Sequence, residues 1–114
     1  MDTKDLEAFR AQLLIERARL LGEIGEAIEA PEQMTYGSQA AAASQVFEQQ
    51  RDLALRDRAI QLLAQVDTAL VRLDDGAFGR CARCGRDIAA ARHEALPWAD
   101  HCIECRTALD QGQR

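Results

Sequence analysis

Between Thr3 and Ala30, apolar side chains fall at Leu6, Phe9, Leu13, Leu20, Ile24 and Ile28, at gaps of three, four or seven residues. Such gaps return to one side of a 3.6-residue helix, so the stretch is predicted as a single amphipathic helix. Leu14 and Leu21 widen the stripe. Thr3 followed by Leu6 makes no capping box, but Asp2 and Asp5 suit the positive end of the helix dipole. Pro31 ends the pattern, because proline drives its predecessor out of the helical region. After the connection from Pro31 to Gly37, Ser38 can accept from free backbone N–H groups as an N-cap. A second helix is predicted from there, through the alanine run Ala40 to Ala43, to Asp75-Gly76. Val46, Leu53, Ile60, Leu63, Leu70 and Leu73 recur at gaps of seven or three, a heptad-like seam, and Gly76 follows as a C′ glycine.

Two long helices joined by a short connection run antiparallel and pack as a coiled-coil hairpin. At 1.5 Å per residue the first is roughly 40 Å long and the second somewhat longer. The expected architecture is mostly α: a helical hairpin over residues 1–76, with its tip at about 31–40, then a small metal-stapled module over 77–110 and a frayed tail over 111–114. A rod this thin has little surface for a pocket. Its shape suits insertion into a groove or channel of something larger.

The module is defined by Cys81-x-x-Cys84 and Cys102-x-x-Cys105. Two such pairs at this separation are the spacing of a four-thiolate zinc site. A two-residue gap lets one tight turn place both sulfurs on the same side of a metal, and a second turn completes the tetrahedron. A disulfide framework would suit a secreted chain, yet the opening Met-Asp-Thr-Lys-Asp-Leu-Glu is charged and offers no apolar signal segment. No βαβ pattern frames either pair as a redox motif, and two symmetric knuckles favour zinc over an iron–sulfur cluster. Four cysteines close the coordination sphere, whereas a catalytic zinc keeps a position open, so the expected cofactor is one structural Zn2+. His93 and His101 flank the knuckles but find the tetrahedron already filled. Ile88, Leu96 and Trp98 are the apolar residues available to pack on the metal-bound turns, and a last helical turn is predicted over Arg106 to Leu109.

Composition narrows the function. Much of the hydrophobic fraction of 47% is alanine, aromatics are 4%, and mean hydropathy is −0.30, with no apolar run long enough to span a membrane. Thiolates available for metal point to a reducing cytoplasm. Net charge is −5 with a pI near 5.0. The arginines of the cysteine module (Arg80, Arg83, Arg86, Arg92 and Arg106) are offset by Asp87, Glu94, Asp100, Glu104 and the thiolates themselves. Nucleic-acid binders usually carry a basic face, so sequence-specific DNA binding is not expected and a protein partner is favoured. No catalytic triad, phosphate-binding glycine loop or paired carboxylate is present, so no enzymatic activity is expected. The seam is satisfied within one chain, which favours a monomer.

The stretch Leu73-Asp-Asp-Gly-Ala-Phe-Gly-Arg-Cys-Ala-Arg-Cys-Gly85, with Ile88, Arg92, Glu94-Ala-Leu-Pro97 and Cys102-Ile-Glu-Cys105, resembles the DksA/TraR family of bacterial four-cysteine zinc-finger proteins. Phe47-Glu-Gln-Gln-Arg-Asp-Leu-Ala-Leu-Arg-Asp-Arg58 is similar to the second coiled-coil helix of that family. The resemblance covers roughly residues 35–106. It implies a transcription regulator that binds RNA polymerase, placing its coiled coil in the secondary channel, in some members together with the alarmone ppGpp. A zinc-ribbon adaptor, holding nucleic acid or another protein through Trp98 and the finger arginines, is the alternative.

The tip departs from the family pattern. Family members related to DksA carry Asp-x-x-Asp-x-Ala there; alignment back from Asp57 puts Ser38 and Ala41 at the aspartates and Ala43 at the alanine. Neither Ser38 nor Ala41 offers a carboxylate. Either the regulatory output is altered, or channel binding persists with the tip as a helix cap. Arg58 and Arg106 match basic positions that the resemblance implies for ppGpp, while Gln65 stands where a lysine is expected. Each charge-assisted contact is worth roughly 1.5–3 kcal/mol, so one missing cation weakens such a site.

Overall fold

The computed structural model describes residues 1–28 and 39–112. Helix α1 spans Thr3–Ile28 and α2 spans Gln39–Asp75; two short helices, α3 (Ala90–Ala95) and α4 (Ile103–Asp110), lie in the cysteine module. The molecule is elongated, 59 × 32 × 20 Å, as the hairpin reading requires. The predicted tip residues 31–38, Ser38 among them, lie outside the described residues.

The start of α1 and the end of α2 fall where the chemistry asks for them. Asp2 Oδ1 accepts from the Asp5 backbone N–H at 2.9 Å, filling the capping role that Thr3 does not. At the far end of α2, Gly76 takes φ +75, a conformation costly for any residue with a Cβ. The Ala77 N–H donates to Arg72 O at 2.9 Å and the Gly76 N–H to Leu73 O at 3.4 Å, which satisfies two last-turn carbonyls as in a Schellman motif.

The helices run antiparallel in a single register. Arg10 pairs with Asp74 at 2.7 Å and Arg17 with Asp67 at 2.8 Å, so seven residues up one helix match seven down the other. Between them lies a core of Leu13, Leu20, Ala59, Val66, Ala69 and Leu73, flanked by Leu6, Ile24, Leu62, Leu63 and Leu70. Leu6, Leu13, Leu20 and Ile24 of the α1 stripe pack as the periodicity predicts, although Leu14 and Leu21 stay largely exposed.

The α2 seam differs. Leu63, Leu70 and Leu73 face α1, but Val46, Leu53 and Ile60 are exposed. The working heptad is Ala59–Val66–Leu73, one residue out of step with Val46–Leu53–Ile60. That second line continues to Asp67, whose carboxylate meets Arg17 on the flank. Alanine at Ala59 and Ala69 leaves room for α1 to approach, and a count of large apolar residues passes over such positions. Ridges one residue apart on a helix differ by about 100°, enough to turn a whole row to solvent.

Candidate metal centre

The finger is hung from the end of α2. Arg72 donates to Ala77 O at 3.0 Å and also to Arg80 O, fastening the last turn of the helix to the strand-like entry of the module. A single antiparallel bridge joins Arg80 and Asp87, and the Ile88 N–H donates to Gly79 O at 2.8 Å. Within that loop the first knuckle forms: the Cys81 N–H donates to Arg86 O at 2.8 Å and the Gly85 N–H to Cys81 O at 3.0 Å. Gly85 closes the turn at φ +77, which only glycine adopts without strain.

The second knuckle opens a helix. Cys102 is the N-cap of α4, its Sγ accepting from the Cys105 N–H at 3.4 Å. Spacing alone predicts a turn beginning at Arg106; the helix instead starts at Ile103, because the cysteine sulfur substitutes for an oxygen cap. The Ala82 N–H donates to Asp100 O at 2.7 Å and Arg92 Nε to His101 O at 3.0 Å, so the two knuckles are tied to each other before any metal is considered.

The four sulfurs of Cys81, Cys84, Cys102 and Cys105 all lie within 4.8 Å of one another, with Cys84 and Cys102 at 3.9 Å. Sulfurs at about 2.3 Å from a tetrahedral zinc sit about 3.8 Å apart, so the donor set is of the right size for one ion. No two of these cysteines form a disulfide. Cys81 and Cys105 are buried against Ile88, with half-buried Cys102 beside them, and Cys84 faces solvent. Charge tells the same story. Burial raises the Cys81 thiol, but donors from Cys84, Cys102 and Arg83 outweigh it and bring it down to about 6. Cys105 is drawn down by Arg83, yet burial and the three neighbouring thiols push it up to about 12. Sulfurs this close cannot all ionise beside one another, and a divalent cation removes the conflict.

Residues 76–111 match the prokaryotic dksA/traR C4-type zinc finger. The chain is 31% identical over 116 residues to the RNA polymerase-binding transcription factor DksA of Caulobacter vibrioides, covering 100% of this chain and 82% of that one. The chain belongs to the DksA/TraR family. A second relative of the same description, from Haemophilus influenzae, is 34% identical over 107 residues, covering 94% of this chain and 70% of the relative. The solved structure of transcription factor DksA2 from Pseudomonas aeruginosa superimposes with a TM-score of 0.73 at 34% identity, over 97% of this chain and 87% of that one. A Chlamydia trachomatis L2 structure, described as an RNA polymerase binding protein, shares the fold at a TM-score of 0.65 and 20% identity. Family and geometry together identify the cofactor as one structural zinc.

Other expected site residues are placed as follows. Ala43 is exposed on α2, and Ala41 lies on the backbone of its first turns. Arg58 is exposed on α2; Arg106 projects from α4 and pairs with Asp110 at 3.0 Å. His101 Nδ1 meets Asp100 Oδ1 at 2.7 Å and takes no part in the sulfur cluster. Trp98 packs against the hairpin core with Phe78, and Ile88 alone of the three apolar candidates packs on the cysteines. The sequence marked His93 only as a spare ligand beside the knuckles and gave no sign of its burial. His93 is fully buried, stacked on Phe78 at 4.3 Å and beside Phe9 of α1 at 5.1 Å. Helix α3, which carries it, has too few residues to show periodicity.

Proposed function

We propose that this chain is a DksA-like transcription regulator that binds RNA polymerase through the secondary channel, its hairpin entering and its finger remaining outside as a base. The observation that carries this reading is similarity over all of this chain, and over 82% of the relative, to a protein described as an RNA polymerase-binding transcription factor. A finger alone would recommend many partners; a finger fused to a hairpin of this length recommends a channel. In this reading residues 1–76 are the inserted unit, residues 77–110 are the finger, and Cys81, Cys84, Cys102 and Cys105 ligate the zinc. The metal organises the base and performs no chemistry.

The tip region around Ser38, Ala41 and Ala43 approaches the polymerase active site without the acidic side chains that the family pattern carries. Its output therefore differs in kind or strength from that of an acid-tipped member. Arg58 and Arg106 are the candidate ppGpp contacts, with Gln65 in place of a cation. The protein acts as a monomer in the cytoplasm, where polymerase resides. No helix among the described residues is long and apolar enough to cross a membrane. The adaptor alternative is weaker, since Arg106 is engaged by Asp110 and Arg86 lies 3.9 Å from Glu104, leaving less free positive charge for phosphate.

The test is an affinity measurement with purified RNA polymerase, with and without ppGpp and with a second protein known to occupy the secondary channel. Saturable binding that the competitor displaces is expected. Absence of binding at micromolar concentrations would sink the reading, and a steep salt-dependent affinity for DNA instead would favour the adaptor.

A further inference from the structure

His93 is the buried polar residue of the described interior, 0% exposed, and neither of its ring nitrogens has a hydrogen-bond partner. Its imidazole lies nearly parallel to the Phe78 ring, at 4.3 Å and 16°, and tilted against Phe9, at 5.1 Å and 37°. Phe9 and Phe78 also meet each other, at 5.1 Å. Phe9 belongs to α1, whereas Phe78 and His93 belong to the module. This aromatic stack is therefore a seam along which the finger meets the first helix of the hairpin.

A neutral imidazole already loses hydrogen bonds to water when buried in this way. An imidazolium would lose more, because both nitrogens become donors and the charge itself must be desolvated. The groups around it offer little relief: the Ala99 backbone favours the charged ring, but neither ring nitrogen makes a full hydrogen bond. From α1 it meets the uncharged Phe9; the charges acting on it are Arg72 from α2 and Arg92 on its own helix. Both cations are held in place, Arg72 by Ala77 O and Arg80 O, Arg92 by His101 O. The segment that returns past α3 carries Asp100, and its carboxylate is engaged by His101. Burial first, and then the two arginines, outweigh the opposing Ala99 backbone and hold the His93 pKa below its ordinary value.

We propose that His93 is an acid-responsive latch: neutral, it clamps the finger onto α1 through Phe9 and Phe78, and on protonation it leaves the stack and loosens the finger from the hairpin while zinc stays bound. The inference rests on the packing of this chain and does not depend on the polymerase reading. The sign follows from linkage. A histidine whose folded pKa is depressed contributes stability that is fully present above its unfolded value, about 6.5, and that is lost as pH falls towards the folded one. Within that window the opening equilibrium rises by up to about tenfold for each pH unit.

The experiment uses the zinc-loaded full chain, with zinc content followed at every pH. Hydrogen exchange of the amides of α3 and the first turns of α1, corrected for intrinsic rates, is compared between wild type and His93→Leu. Opening should steepen in wild type as pH falls below the ordinary histidine range, by up to about tenfold per unit relative to His93→Leu. Equal slopes in the two proteins would overturn the proposal. An NMR titration of the His93 ring in wild type needs no variant, and so decides the matter even where His93→Leu fails to fold. A ring that titrates at or above its ordinary value overturns the latch, and one that titrates below it, together with the loss of α3 protection, supports it.

Discussion

Cys84 faces solvent, yet the finger depends on it as much as on its buried partners, because a three-thiolate site cannot close the tetrahedron. Cys84→Ser is expected to lose the zinc and unfold residues 77–110 while leaving the two long helices, which share their own core, helical. Metal content and circular dichroism measure both halves; one zinc per chain with native melting would contradict it. The same residues set a pH dependence. Zinc must displace the protons that the thiols still hold, and Cys105, pushed to about 12, holds its proton firmly, whereas Cys81, at about 6, surrenders it readily. Zinc affinity should therefore fall as pH falls, and competition with a chromophoric chelator between about pH 6 and pH 8 reads the slope. The four ligands were legible because metal geometry imposes a spacing on the sequence. His93 was not, since a single histidine in a short, alanine-rich helix leaves no pattern that announces burial.

At the scale of elements, the hairpin core decides stability and the flanks do not. Leu13→Ala should cost roughly 2–5 kcal/mol, the usual range for a buried leucine between packed helices. Ile60→Ala, on the exposed row, should cost much less, on the order of 0.5–1 kcal/mol. Denaturant melts of the two variants separate the two seams, and a larger loss at Ile60 would restore the register that the big apolar residues alone recommend. Both helices could be read from periodicity, and the C-terminal end of α2 from Gly76, since those signals are local. The α2 seam could not be read in full, because alanine serves as a contact residue only where a partner helix comes close, and that closeness is a tertiary fact. The α4 start was hidden for a similar reason: Cys102 is at once a metal ligand and a cap, and cysteine is not among the usual capping residues.

At the scale of the molecule, the zinc site and the distal end of α2 are separated by about 55 Å of helix, so the metal and the proposed tip lie at different ends of α2. Returning acid to the tip with Ser38→Asp and Ala41→Asp should change transcription from a ribosomal promoter in vitro without altering the melting of the chain. An unchanged transcription profile would remove the tip from the mechanism. The central claim, that the hairpin enters the polymerase channel, is met most directly by photo-crosslinking from Ala43→p-benzoylphenylalanine in the zinc-loaded chain mixed with RNA polymerase. Ala43 is exposed on α2 close to the predicted tip, so the claim predicts crosslinks to polymerase residues lining the channel near the active site. Crosslinks confined to the outer surface of the enzyme, or none while the finger alone crosslinks, would contradict it.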